Sequence, residues 1–326
     1  MTGTSTPEEK TLAGRKVTVI GAGVIGTSWA ALFLAHGMEV IVHDPRPDVE
    51  GVVLDGLARI APSLAEMGLP CASLADRLSF EGDLERAVQA ADVIQENGPE
   101  RLEFKQDLWA RIEQFAPAHA LLLSSSSAIT ATLQGATMQD AGRLLIGHPF
   151  NPPHMIPLVE VVPGEHTAAA VTEAAVEFYT ALGKVPRVLH KEIRAFVANR
   201  LQRALFAESL YLVQEGVVTV DELDDIVTNS VGLRWAADGP FRSFFLGGGA
   251  GGFRGYFAQF GPGMRNAIVN TPKVTLDDAL QSLIIEQTDA AFGTRPLETL
   301  EHERDTKQLA ILRALTAVAG KSEEKK

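Results

Sequence analysis

VTVIGAGVIGTSWAALFLAHGMEVIVHD, residues 17–44, decides the fold. A β-rich run (Lys16–Gly21) leads into Gly21-x-Gly23-x-x-Gly26. An apolar helical pattern (Thr27–His36) leaves it, and a second strand (Glu39–Asp44) ends in an acid. That context turns a bare glycine pattern into a βαβ dinucleotide-binding fingerprint. Gly21 permits the tight turn, Gly23 lets backbone N–H groups approach a pyrophosphate, and Gly26 lets helix and strand pack closely. Val24 and Ile25 fill the turn at the helix N-terminus, whose partial positive charge faces the phosphates. Asp44, 18 residues after Gly26, is placed to hydrogen-bond the adenosine ribose and to repel a 2′-phosphate. The expected cofactor is therefore NAD rather than NADP, although Arg46, two residues on, pulls the other way.

Outward from this unit, strand-like and helical patterns alternate. Val52–Met67 is helical. Asp92–Glu96, Leu121–Ser125, Leu144–His148 and Leu158–Val162 read as strands, Thr167–Leu182 as a helix, and Val185–Leu189 as a last strand. This order predicts an α/β fold, a Rossmann-type doubly wound, mostly parallel sheet covered on both faces. Past residue 192 helical periodicity takes over. Ala195–Gln214 stops at Gly216, Val220–Ser230 opens on a Thr219/Glu222 capping box, and Leu276–Phe292 and Leu297–Val318 follow. The expected division is residues 1–192 for the nucleotide-binding domain and 193–326 for an all-α domain. The patch Gly247–Gly252 has no preceding strand, so it reads as a flexible connector and not a phosphate loop. Residues 1–10 and 320–326 are polar and read as disordered.

The bulk properties exclude several classes. The chain has 326 residues, a net charge of −12 and no basic stripe, so nucleic acid is not an expected partner. Its single cysteine, Cys71, rules out a disulfide framework within the chain, argues against a thiolate metal site and suits a reducing cytoplasm. No metal is expected. The apolar stretch Val17–Ala35 mimics a signal or membrane segment, but the three glycines explain it better, and no other run is long enough to span a bilayer.

The second signal is GHPFNPPHMIPLVEVVPG, residues 147–164. His148 ends one strand-like run and Glu160 lies in the next. Strand C-termini are where open α/β sheets place their ligands. Oxidising an alcohol with NAD needs a base for the hydroxyl proton, and histidine titrates in the right range. A carboxylate behind it would fix the tautomer and stabilise the imidazolium. The other seven histidines (36, 43, 119, 154, 166, 190 and 302) read as structural.

With these residues in view, the chain resembles the L-3-hydroxyacyl-CoA dehydrogenase superfamily over roughly residues 15–265. The H-x-F-N-P…E pattern is matched by His148, Phe150, Asn151, Pro152 and Glu160. The G-F-x-x-N-R pattern is matched by AFVANR, with Ala195 in place of glycine and Asn199 as the substrate-contacting asparagine. The hydroxyl-contacting serine falls within Ser124–Ser127, with Ser126 chosen. A Glu and a Lys five apart near the nicotinamide match Glu100 and Lys105. The resemblance implies that His148 is the acid–base group, Glu160 its orienter, Ser126 and Asn199 the holders of substrate oxygens, and Asn151 a support of the pocket. It also implies a helical C-terminal domain that binds substrate and makes a homodimer.

The substrate is less legible. Acyl-CoA members usually carry lysines after the second strand; residues 45–75 here hold Arg46 and Arg59 but no lysine, which tilts the reading towards a free small hydroxy acid. NSVGLRWAADGP (229–240) and AQFGP (258–262) are similar to the branch holding L-carnitine dehydrogenase and L-gulonate 3-dehydrogenase, the lens λ-crystallin branch. Trp235, Phe241, Phe244 and Phe245 suit either a cation–π wall for a quaternary ammonium or a dimer core; Arg234 or Arg242 suits a sugar-acid carboxylate. An acyl-CoA thioester remains the alternative. A non-catalytic, crystallin-like NAD-binding protein is a further one, opposed by the presence of His148, Glu160 and Asn199. A tyrosine-based reductase is discounted, because Tyr179, Tyr211 and Tyr256 lie in no Y-x-x-x-K pattern.

Overall fold

The computed structural model describes residues 12–269, 277–292 and 295–323. Eight strands form one sheet: β1 (Lys16–Ile20), β2 (Glu39–His43), β3 (Leu78–Phe80), β4 (Val93–Glu96), β5 (Leu121–Ser124), β6 (Leu144–Pro149), β7 (Leu158–Pro163) and β8 (Val185–Val188). Their order is β3-β2-β1-β4-β5-β6-β7-β8. Every neighbouring pair is parallel except β6 and β7, which run antiparallel with His148 opposite Glu160. The order reverses between β1 and β4, the switch point at which such sheets open a ligand crevice.

The helices of this part of the chain are α1 (Val24–Ala35), α2 (Val49–Glu66), α3 (Leu84–Val88), α4 (Leu102–Phe115), α5 (Ala131–Gln134) and α6 (Ala169–Ala181). Helix α1 is apolar all round and buried from Gly26 to Ala35. It is therefore a core helix and not an amphipathic surface one. Trp29 stacks on Phe33 with centroids 5.4 Å apart, and Phe33 meets Phe178 of α6 at 5.8 Å. The strands β4 and β6 are buried at every residue, as expected for a sheet covered on both faces. The edge strand β3 was not foreseen, because three half-exposed residues carry no period-two signal.

The chain then becomes helical: α7 (Ala198–Gln214), α8 (Val220–Thr228), α9 (Val231–Ala237), α10 (Pro240–Gly247), α11 (Gly252–Val269), α12 (Asp278–Phe292) and α13 (Leu297–Glu323). The Thr219/Glu222 capping box is formed, and Gly216 takes φ +66° just past α7. The glycine patch turns out to be a tight crossing and not a loose connector. A Cβ on Gly248 would stand 1.8 Å from the Gly252 carbonyl oxygen, and one on Gly255 would stand 2.5 Å from that of Gly248. Two compact units are separated between Asn199 and Arg200. The segment 193–199 stays with the sheet because its backbone is hydrogen-bonded there, as described below. The expected N-terminal tail lies outside the described residues, as do residues 324–326 of the C-terminal one; α13 already covers 320–323. Among the described residues no helix is long and apolar enough to cross a membrane.

Candidate active site

The glycine turn is built for a dinucleotide. Gly21 has φ +82°, and a Cβ there would press on the Asn97 carbonyl oxygen at 2.8 Å. A Cβ on Gly26 would stand 1.9 Å from the Gly21 carbonyl oxygen, so only glycine lets α1 start this close to β1. At Gly23 a Cβ would meet no protein atom within 4 Å, and Val24 beside it is 73% exposed. The N-terminus of α1 is thus open where a pyrophosphate needs to approach backbone N–H groups, and the residues present fit NAD.

Asp44 follows β2 and is heavily engaged. Its Oδ2 accepts from the Ala22 N–H at 2.8 Å, and its Oδ1 accepts from the Arg46 N–H at 3.0 Å and Nε at 2.8 Å. Arg46 also donates to the Ala22 carbonyl at 2.9 Å, laying its guanidinium along the glycine turn. Burial opposes the Asp44 charge, but the Arg46 guanidinium and the two backbone donors outweigh it and hold the carboxyl below its ordinary range.

The structure brings His148 and Glu160 together. The antiparallel register sets them side by side, and His148 Nδ1 lies 2.8 Å from Glu160 Oε2. The other oxygen, Oε1, accepts from the N–H groups of Val197 at 2.9 Å and Ala198 at 3.0 Å, at the start of α7. A left-handed pair, Ala195 at φ +64° and Phe196 at φ +50°, turns the chain so that those two N–H groups point at Glu160. This explains why glycine suits position 195 in the resembling pattern. Burial pushes the Glu160 carboxyl up; the His148 ring and the two amides more than offset it, and the group sits below its ordinary value. With Glu160 ionised, the proton between them belongs on Nδ1, which leaves a lone pair on Nε2. Phe150 and Phe196 flank the imidazole at 5.0 and 5.3 Å.

Around the ends of β4 and β5 the polar residues form a second cluster. Glu100 Oε1 accepts from the Ser126 hydroxyl at 2.6 Å and from the N–H groups of Ser127 at 3.1 Å and Ala128 at 2.9 Å. The Ser126 hydroxyl also accepts from the Ile129 N–H at 3.0 Å and is buried, so it is committed to the turn. The neighbouring Ser127 hydroxyl makes no hydrogen bond among the described residues. Lys105, only 1% exposed, grips Glu96 at 2.6 and 2.8 Å and lies 3.7 Å from Glu100. Sequence reasoning missed Glu96. The signal was an acid closing the fully buried run VIQE, where a charge needs a partner. Asn151 is exposed just after β6, and Asn199 is half-buried in the first turn of α7. In the helical unit the aromatic residues pack on one another: Phe244 lies 5.1 Å from Tyr256, and Phe241 6.2 Å from Phe253.

Comparison with known proteins gives this geometry a family. Residues 16–193 match the 3-hydroxyacyl-CoA dehydrogenase NAD-binding domain, and residues 196–279 match the 3-hydroxyacyl-CoA dehydrogenase C-terminal domain. The chain is 40% identical over 310 residues to L-carnitine dehydrogenase of Streptomyces griseus, covering 95% of this chain and 92% of that protein. It is 41% identical over 296 residues to L-carnitine dehydrogenase of Pseudomonas aeruginosa, covering 91% and 92%. Among solved structures, the NAD+-dependent dismutase 5-formyl-3-hydroxy-2-methylpyridine 4-carboxylic acid 5-dehydrogenase superposes with a TM-score of 0.78 at 28% identity, covering 93% of this chain and 99% of that one. The chain belongs to the 3-hydroxyacyl-CoA dehydrogenase family and is an NAD-dependent dehydrogenase acting on a CH–OH group.

Proposed function

We propose that this enzyme interconverts the hydroxyl of a free L-3-hydroxy acid and the 3-keto acid, with L-carnitine or a close quaternary-ammonium analogue as substrate. The observation that carries the chemistry is the buried His148–Glu160 pair at 2.8 Å, with Nε2 making no hydrogen bond among the described residues. The names of relatives at about 40% identity support the choice of acid. The absence of lysine from residues 45–75 speaks against a CoA phosphate contact there.

In this reading His148 Nε2 takes the hydroxyl proton during oxidation and returns it during reduction. Glu160 keeps the ring in the productive tautomer and stabilises the imidazolium. The glycine turn and Asp44 would hold NAD, which would supply the hydride acceptor. Asn199 and the serine turn hold the substrate oxygens. The sequence pointed to Ser126 within that turn; Ser127 is the hydroxyl left uncommitted, and Ser126 with Glu100 shapes the turn that presents it. The exposed Phe241, Phe245, Leu246 and Phe257 of the helical unit suit the face of a homodimer in the cytoplasm.

An NAD-linked screen over L-carnitine, L-gulonate, L-3-hydroxybutyrate and L-3-hydroxybutyryl-CoA tests the substrate. The highest kcat/KM is expected with L-carnitine, and a preference for the thioester overturns that choice. On the best substrate, His148→Gln and Glu160→Gln are each expected to lose ~10²–10⁴-fold in kcat/KM. Wild-type turnover in either variant overturns the catalytic pair. Sedimentation velocity is expected to give twice the 35.0 kDa chain mass, and a monomer at micromolar concentration removes the dimer.

A further inference from the structure

The β6–β7 connector, residues 150–157, joins the two catalytic strands and is itself a backbone problem. Pro152, Pro153, His154 and Met155 are buried. Three prolines in the stretch (152, 153 and 157) remove three N–H donors, so its carbonyls have few backbone partners nearby. The Pro152 carbonyl is met by the N–H groups of Met155 and Ile156, both at 3.0 Å. The carbonyls of Pro153 and Ile156 are met by a side chain instead: both accept from Lys184 Nζ, the latter at 3.1 Å.

Lys184 is placed for this by its own backbone. Its N–H donates to the Tyr179 carbonyl at the end of α6 at 3.0 Å, and the next residue, Val185, donates to Pro157 at 2.8 Å as β8 begins beside β7. The side chain is 6% exposed. Among the described residues no carboxylate pairs with it. Nζ also lies over an aromatic face, the Trp29 indole of α1, 5.7 Å from the ring centroid. The residue before Trp29, Ser28, holds the same connector from α1: its hydroxyl accepts from the His154 N–H at 2.9 Å and lies 2.8 Å from His154 Nδ1. Burial pulls the Lys184 ammonium down to about 7, the cost of desolvating a cation that no anion balances. Such a group is expensive to keep, which asks for a function beyond filling space.

We propose that Lys184 is a positioning residue for the reaction: its buried Nζ ties the carbonyls of Pro153 and Ile156 and thereby fixes the connector that sets His148 against Glu160 and carries Asn151. The tie runs on to α1, the helix whose first turn faces the cofactor phosphates, so the cofactor site and the catalytic pair share one rigid support. The inference rests on the reading of His148 and Glu160 as the catalytic pair.

The test uses the full-length enzyme with NAD and whichever hydroxy acid it turns over, comparing wild type, Lys184→Met, Lys184→Arg and His148→Gln. NADH affinity, read by fluorescence titration, reports an intact nucleotide unit. Lys184→Met is expected to bind NADH within about threefold of wild type, to lose at least tenfold in kcat with a smaller change in KM, and to shift the pH profile of kcat/KM. Lys184→Arg keeps a cation but moves the donors, and the same pattern is expected of it; it decides the matter if the Met variant does not bind NADH. Wild-type kcat and an unmoved pH profile in either folded variant, with His148→Gln inactive, overturn the proposal and leave the catalytic pair standing. Wild-type turnover by His148→Gln overturns the catalytic pair instead.

Discussion

At the scale of single residues, charge decides what each site accepts. A bare Asp44 would exclude a 2′-phosphate, but here Arg46 sits on it at 2.8 Å and its side chain is 42% exposed. Arg46→Ala is expected to weaken NADPH binding about tenfold more than NADH binding, the ~1.5 kcal/mol of one charge-assisted hydrogen bond. Fluorescence titration of both nucleotides checks this, and equal losses would place Arg46 outside the ribose pocket. The position of Asp44 just after β2 was legible, because an acid closing the second strand of the fingerprint is a recognisable pattern. Its occupation by Arg46 was not, since two residues in a loop reveal no side-chain direction. The commitment of Ser126 to Glu100 was hidden for the same reason: four consecutive serines are equivalent on paper and distinct once the turn closes.

At the scale of elements, the strand that carries His148 depends on what lies beneath it. Gly147 precedes His148 in β6, and a Cβ there would stand 1.9 Å from the Tyr179 hydroxyl. That hydroxyl donates to Gln95 Oε1 at 2.8 Å. Gln95 donates to the Ser125 hydroxyl at 2.9 Å, and Ser125 donates to Asn97 Oδ1 at 2.7 Å. A hydrogen-bond chain, buried at its Tyr179 end and half-buried beyond, therefore runs from α6 across the ends of β4 and β5, and β6 must be flat against it. Gly147→Ala is expected to cost about 1–3 kcal/mol of stability by overpacking and to lower kcat by displacing His148. Adding Tyr179→Phe should restore part of both. An unchanged melting temperature in the single variant would show that the ring yields freely.

At the scale of the whole molecule, the buried cation leaves a pH signature. The folded value of Lys184 is about 7, well below the ~10.4 of an unfolded lysine. Between these values the unfolded chain holds a proton that the folded chain does not, so stability rises with pH across that window, at no more than ~1.4 kcal/mol per pH unit, and is flat below it. Denaturant melts at pH 7, 8 and 9 measure the slope. Lys184→Met is expected to flatten it whatever its absolute stability, and a slope unaltered by that change would assign it to other groups. Chain contacts also act at this scale: residues 193–199 group with the sheet unit, where Val197 and Ala198 donate to Glu160, although their sequence already has helical texture.

The sequence alone was enough for seven of the eight strands, for the helices α1, α2 and α6, for the glycine turn and for singling out His148 and Glu160, which the fold sets 2.8 Å apart. Each of these rests on local rules: apolar periodicity, φ > 0 at a turn, or a strand end that carries a reactive side chain. The pairing of Lys105 with Glu96, the support of Glu160 by α7 and the grip of Lys184 on the connector were decided only by tertiary structure. In each case a buried polar group is satisfied by a partner distant in sequence or facing it across the fold, and hydrophobic pattern carries no information about such partners.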